Sequence, residues 1–380
     1  MTGPYTGQRL RGGAYGEGTV FKITYTLSGA RATLTTLYSS CSESDCADGE
    51  RPQSALVLTS NGDLYGTTIA GGANGDGTIF KITPSGILTT LHTFCSQSGC
   101  TDGAYPNAGL VQAADGNFYG TAYQGGTNSA GTIFKMTPSG ALTTLYSFCS
   151  QSGCADGSYP FAPLVQATDD NFYGTTFSGG ANGTGTGTVF KITSGGALTT
   201  LYSFCSQSGC TDGAYPQAAL IQATDGNFYG TTTGGSGGTV FKITASGALT
   251  TLHSFCAQSG CPDGVTPQAA LVQDTNGALY GTTFQGGAYN WGIVFRLSVG
   301  LGPFVETRPT SGDVGAVVNI EGTNLTGATS VSFNGTAAVF NVLSSSLIST
   351  TVPAGATSGT VQVVTPSGTL SGNAPFQVRP

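Results

Sequence analysis

One segment recurs through most of this chain, and its landmark is Gly-Thr-Val/Ile-Phe-Lys. The landmark Phe falls at Phe21, Phe80, Phe134, Phe190 and Phe241, with a weaker sixth version at Phe295. The steps between them are 59, 54, 56, 51 and 54 residues. A tandem period of this length means one supersecondary unit repeated in space. It also sorts the side chains. A residue present in every copy serves the fold, and a residue present in one copy is the better candidate for chemistry.

Residues 219–255 serve as the type copy. Ala219-Leu220-Ile221-Gln222 is a short apolar first strand, and Asp225-Gly226 is a hairpin turn signal. Phe228 to Thr232 is a second strand rich in aromatic and β-branched residues. Gly234 to Gly238 is a loop, and Thr239 to Thr244 a third strand. Ser246-Gly247 turns the chain into a fourth strand, Leu249 to Phe255. A connector, Cys256 to Pro267, leads to the next copy. Four antiparallel strands per repeat predict an all-β fold, a β-propeller of four-stranded blades, with a solenoid of shorter repeats as the alternative. Apolar residues on both strand faces, Val240 against Phe241 and Ile243, suit a sheet held between two neighbours. The motif count predicts six blades, the first and last incomplete. Because the chain opens inside a repeat, a true start upstream of Met1 is expected, and with it a propeller of seven or more blades.

Ten cysteines form five Cys-x4-Cys pairs: Cys41/Cys46, Cys95/Cys100, Cys149/Cys154, Cys205/Cys210 and Cys256/Cys261. Zinc requires four ligands, and the only histidines, His92 and His253, occupy a strand slot that is Tyr38, Tyr146 and Tyr202 elsewhere. Local disulfides are therefore predicted, with no metal and no cofactor. They imply an oxidising compartment, hence an extracellular or cell-surface location. Met1 to Lys22 contains no signal-peptide apolar core, and no apolar run reaches the roughly 18–20 residues of a membrane-spanning helix. Only 8% of residues are charged and the net charge is −7. With no basic stripe, nucleic acid is excluded as a partner, and membrane insertion is not expected.

After Leu297 the cysteines, lysines and landmark vanish. Residues 298–303 read as a linker between a repeat domain, 1–297, and a second domain, 304–380. The latter alternates short Val/Ile/Phe strands with Gly, Asn and Pro turns, which suits an Ig-like β-sandwich.

The recurring Leu/Phe-Tyr-Gly-Thr-Thr, Gly-Thr-Val-Phe-Lys-Ile-Thr and Leu-Thr-Thr-Leu-Tyr-Ser-Phe motifs resemble the GloVer tandem repeat of bacterial surface and secreted proteins. The C-terminal segment resembles an IPT/TIG domain. It does so through Pro309-Thr310-Ser311-Gly312, Ile320-Glu321-Gly322-Thr323-Asn324-Leu325, Phe333-Asn334-Gly335 and Val352-Pro353-Ala354-Gly355. That resemblance implies a stalk, spacer or binding module. Neither resemblance carries over a catalytic residue.

Two charged slots recur. Lysine stands at Lys22, Lys81, Lys135, Lys191 and Lys242, and aspartate follows each cysteine pair at Asp48, Asp102, Asp156, Asp212 and Asp263. Fivefold repetition predicts structural ion pairs between the two slots; a ring of binding charges is the other reading. One carboxylate per loop is far short of a calcium site. In a meander the second–third loop and the connector share one edge. That edge, with its disulfides and length variation, is the expected binding face. Its aromatic candidates are Tyr105, Tyr159, Tyr215, Tyr289 and Trp291, which suit either stacking on a ligand or packing of the loop. The copy-specific acids are scattered, and no catalytic constellation is visible. The predicted function is non-catalytic binding or adhesion by a monomer, to a glycan or an extracellular protein. A carbohydrate-active enzyme and a purely structural surface protein are the alternatives.

Overall fold

The structure is a computed structural model that describes residues 5–25, 32–59, 61–183 and 185–379. The outermost residues of the two predicted domains, 1–4 and 380, lie outside the described residues. The chain is all-β, and no α-helix occurs among the described residues. Among the described residues no helix is long and apolar enough to cross a membrane.

Each repeat forms its own antiparallel meander, with strand order in the sheet following chain order. The third repeat shows the pattern: Val111–Gln112, Phe118–Ala122, Thr132–Met136 and Leu142–Ser147. Four such four-stranded sheets occur. The first repeat supplies three strands, Tyr5–Arg9, Thr19–Tyr25 and Ala32–Ser39, and the last also three, Val272–Gln273, Leu279–Thr282 and Val294–Leu297.

The recurring motifs have local reasons. Gly120 pairs with Phe134 in the ladder. A Cβ on Gly120 would lie 2.5 Å from the far carbon of the Phe134 ring. The Tyr-Gly-Thr motif thus leaves room for the landmark ring to lie across its own sheet. A bulge follows in the third–fourth ladder, between Ile133 and Phe134. It recurs at Ile79/Phe80, Val189/Phe190 and Val240/Phe241. The bulge leaves Leu91 unpaired in its fourth strand. Gly140, in the next repeat's Ser-Gly turn, has φ +95°, and a Cβ there would sit 2.7 Å from the Leu91 carbonyl oxygen. Only glycine meets both demands at low cost.

The core lies between sheets rather than within them. Tyr65 stacks on Phe118, Tyr119 on Phe172 and Tyr173 on Phe228, with ring centroids 4.2, 4.1 and 3.9 Å apart. Phe94 meets Phe134 edge-on, as Phe148 meets Phe190 and Phe204 meets Phe241. All five residues of the second strand are buried in four successive repeats. Each fully buried Phe contributes about 1.5–3 kcal/mol relative to exposure. Glutamines add a polar tie at the first strands: Gln166 Oε1 accepts the Ala114 N–H at 3.2 Å.

Two four-stranded sheets and a two-stranded parallel sheet, Ser311–Asp313 with Gln377–Arg379, make up the C-terminal segment. One four-stranded sheet runs Val305–Arg308, Val317–Gly322, Leu347–Thr351, Phe340–Ser344, and the other Thr336–Ala338, Ser330–Phe333, Val361–Thr365, Gly368–Ser371. Alternate residues, Val318 and Ile320 from one sheet, Val331, Phe333, Val361 and Val363 from the other, form a single buried cluster. By chain contacts the protein divides into two compact units. The second comprises 222–227, 271–282 and 294–380. Within it the Phe304 N–H donates to the Thr275 carbonyl at 3.0 Å, and the Thr275 and Thr323 hydroxyls lie 3.0 Å apart.

Candidate functional site on the cysteine-loop edge

The connector and the second–third loop meet along one edge of the sheets. The Gly126 N–H, in such a loop, donates to the Cys100 carbonyl of the connector at 2.9 Å. Each connector opens with a disulfide: Cys41–Cys46, Cys95–Cys100, Cys149–Cys154, Cys205–Cys210 and Cys256–Cys261. In four of the loops the second cysteine ends a short 3-10 turn.

Inside each loop sits the aspartate that follows the cysteine pair. Asp156 Oδ2 accepts from Tyr146 Oη at 2.8 Å and from the Ser150 N–H and hydroxyl at 2.9 Å each, while Oδ1 accepts the Gln151 N–H at 3.2 Å. Asp48 and Asp212 repeat the set with Tyr38 and Tyr202. At Asp102 and Asp263 the phenol is replaced by His92 and His253, whose Nε2 atoms lie 3.2 and 3.0 Å from the carboxylate. Asp48, Asp102, Asp156 and Asp212 are buried, and Asp263 is one-third exposed. Burial pushes the Asp212 carboxyl up, but the donors from Tyr202 and Ser206 outweigh it and hold it below the usual range. Burial, reinforced by the neighbouring carboxylate, pushes the Tyr38 and Tyr146 phenols up to about 12, against a bond from the local serine. Burial lowers His92, partly offset by Asp102.

These aspartates are not the partners of Lys81, Lys135 and Lys191, which corrects the predicted pairing for those three. Lys135 Nζ donates to Asp115 Oδ2 at 2.9 Å, and Lys81 and Lys191 lie 3.8 and 4.0 Å from Asp63 and Asp169. Lys242 lies over the Tyr229 ring at 5.8 Å, and Lys22 stands opposite Thr6 in the first sheet. The reason is distance along the strand. Gly103, beside Asp102, abuts Thr132 at the start of the third strand, and Lys135 is three residues further on, about 10 Å away. Lys135 therefore reaches the opposite edge, where the first turn presents Asp115. Tyr119 Oη and Asn117 Nδ2 donate to the same oxygen, each at 2.9 Å. Burial raises the Asp115 carboxyl, yet the Lys135, Asn117 and Tyr119 donors hold it well below the usual range. The signal for this site was present in the chain: Asp-x-Asn-Phe-Tyr-Gly recurs at 115–120, 169–174 and 225–230.

The aromatic candidates separate into two groups. Tyr289 and Trp291 are 86% and 89% exposed. Tyr105, Tyr159 and Tyr215 are partly packed. The Tyr159 ring lies 5.2 Å from Tyr123 and the Tyr215 ring 5.2 Å from Phe177. The Asp76 carboxylate beside the Tyr105 hydroxyl holds that phenol above its ordinary value. Among the described residues, Cys41, Cys46 and Glu50 form one cluster of ligand-type atoms and Asp76, Cys95 and Cys100 another. Their sulfurs are bonded in disulfides, which leaves one carboxylate in each. Of the copy-specific acids, Glu17 pairs with Arg51 at 3.3 Å and Asp63 with Lys81.

The profile of the Gloeobacter/Verrucomicrobia repeat matches residues 5–166 and 151–338, and that of the IPT/TIG domain matches residues 305–378. No curated protein sequence matches the chain. Among solved structures the chain is similar to a protein from Lactobacillus plantarum, at 18% identity and a TM-score of 0.48, over 92% of this chain and 96% of that one. It is similar to a chain of a nidogen/laminin complex at 11% identity and a TM-score of 0.44, over 74% and 90% of the two chains. It is also similar to the α-L-arabinanase of Penicillium chrysogenum complexed with arabinobiose, at 12% identity and a TM-score of 0.41, over 78% and 92%.

Proposed function

Since the chain belongs to the Gloeobacter/Verrucomicrobia repeat family and ends in an IPT/TIG domain, we propose that it is a secreted or cell-surface binding protein without catalysis of its own. In this reading the six sheets are blades of a propeller, the first and last incomplete, and residues 304–380 are a separate spacer domain. The cysteine-loop edge presents the ligand-binding surface. Five disulfides support an oxidising location outside the cytoplasm. The loop carboxylates are engaged by the loop's own donors, so the recurrent charges serve the fold. The aromatic side chains standing furthest into solvent on this edge are Tyr289 and Trp291.

The observation that carries the reading is the exposure of Tyr289 and Trp291, two residues apart on one loop. Large aromatics held in water are enriched where a protein meets a ligand. The ligand is a glycan or an extracellular protein. A glycan array probed with the full chain, beside the Tyr289→Ala/Trp291→Ala double variant, tests this. Binding that the double variant loses supports the reading; equal binding by both proteins removes this loop from the site.

A further inference from the structure

A second aromatic feature runs along the same edge, over the middle repeats. The residue that follows each second strand and the residue before the connector proline are joined by backbone. Tyr123 N–H donates to the Tyr105 carbonyl and Phe177 N–H to the Tyr159 carbonyl, each at 3.0 Å. Their rings then meet across repeats: Tyr123 with Tyr159 and Phe177 with Tyr215, each at 5.2 Å and inclined at 35° and 36°. Phe161 closes edge-on against Tyr123 at 5.9 Å. The result is a row of alternating backbone and ring contacts from Tyr105 to Tyr215. Phe161 and Tyr215 are each 38% exposed.

The fold does not require rings in these slots. Tyr105, Tyr159 and Tyr215 have φ of 55°, 57° and 56°, but Arg51 and Thr266 hold the same slot at 58° and 57°. The other slot is Ile69 and Thr233 in the neighbouring copies. The turn therefore dictates a backbone conformation, strained for any side chain other than glycine, and leaves the side chain free. Rings occur together only in the middle of the array.

We propose that this row is a binding platform for a neutral, linear, β-linked polysaccharide. The inference rests on the binding reading above and gives it a substrate class. Three features carry it. The rings are inclined to one another, and Phe161 and Tyr215 are partly exposed, which suits contact with the apolar faces of sugar rings. No Lys or Arg occurs between Lys81 and Lys135 or between Lys135 and Lys191, so the surface offers nothing to an anionic chain. Successive sheets that pack face to face lie about 10 Å apart, a span of two sugar units. A β-linked chain turns the same face to the surface at that step, so one polymer meets the row repeatedly and its contacts reinforce one another.

Calorimetric titration of the full chain with neutral β-1,4-linked gluco-oligosaccharides of increasing length is the test. Affinity is expected to rise with length, to be unchanged by added salt, and to fall about tenfold in Phe161→Ala and in Tyr215→Ala. Both rings are partly exposed, and a matched melting temperature verifies folding of each variant. The Tyr289→Ala/Trp291→Ala variant is run in parallel. Oligosaccharide binding lost only in that double variant overturns the platform and leaves the wider binding reading standing. No binding of any oligosaccharide overturns the platform while the array result for other ligands decides the wider reading. Affinity that collapses with salt also overturns it, since it marks a charged contact.

Discussion

Gly120 lies opposite Phe134 in the antiparallel ladder, and the Phe134 ring crosses directly over it. The nearest ring carbon would be 2.5 Å from a Cβ on that glycine, and Leu110 closes the other side at 3.1 Å. Gly120→Ala is therefore overpacked in a core that has no free volume, and we expect a loss of about 1–3 kcal/mol. Gly116→Ala meets no atom within 4 Å and suffers only its φ of +78°, so it should cost about 1–2 kcal/mol. Thermal or urea unfolding of both variants checks the difference; a Gly120→Ala protein as stable as the parent would show that the landmark ring can lie elsewhere.

Each cysteine loop is held twice, by its disulfide and by its aspartate. A bridge closing so short a loop contributes about 2 kcal/mol in the chain-entropy model. Asp156→Ala removes the acceptor of four hydrogen bonds, from the Tyr146 hydroxyl, the Ser150 N–H and hydroxyl and the Gln151 N–H, each contributing about 0.5–1.5 kcal/mol. We expect Asp156→Ala to lower Tm more than the Cys149→Ser/Cys154→Ser pair does. Differential scanning calorimetry of the two variants decides it, and the reverse order would mean that the carboxylate merely occupies a loop the sulfurs build. A non-reduced digest read by mass spectrometry should return the five intra-loop bridges and none between repeats.

Alkaline pH should loosen the same loops. Tyr38 and Tyr146 are pushed up to about 12, first by burial and then by the carboxylate each faces. A folded-state value above the ordinary 10 means that the folded protein favours the neutral phenol. Its contribution is fully present below pH about 10 and is lost as pH rises through about 12. Melting temperature should fall across that window, with a late fraction of phenolate absorbance. Tyr146→Phe should start less stable and lose less. A Tm that stays level while every phenol ionises near its ordinary value would contradict the geometry of the loop.

Residues 304–380 carry a closed set of buried side chains, with Val305, Ile320, Val331, Phe333, Ile348, Val363 and Phe376 all at 2% exposure or less. We expect this segment to fold alone, to stay soluble and to melt cooperatively. Its bonds to Thr275 are two at the segment's edge, so their loss should leave the core intact. Circular dichroism melting of the isolated segment tests this; a non-cooperative melt would make the Thr275 contacts part of its folding unit.

The strands, their turns and the cysteine pairing were legible in the chain, because each depends on residues near one another in sequence. Thr-Val-Phe-Lys-Ile favours a strand whatever surrounds it, and two cysteines five positions apart sit at the ends of one loop in any register. The repetition added the rest: a slot filled identically in each copy had to serve the sheet. The motif that holds the partner of Lys135 recurs in the chain, but the pairing itself was not legible. Two aspartates recur at comparable distances along the chain, and only the ladder register, which places Lys135 opposite Tyr119 and Tyr119 beside Asp115, chooses between them. The aromatic row was hidden for a different reason. Tyr123 and Tyr159 are 36 positions apart, and their rings meet only because one sheet packs against the next. Local periodicity dictates which face of a strand a side chain occupies. Which side chain of another repeat it touches there is decided by the twist and spacing of stacked sheets, and that is tertiary structure alone.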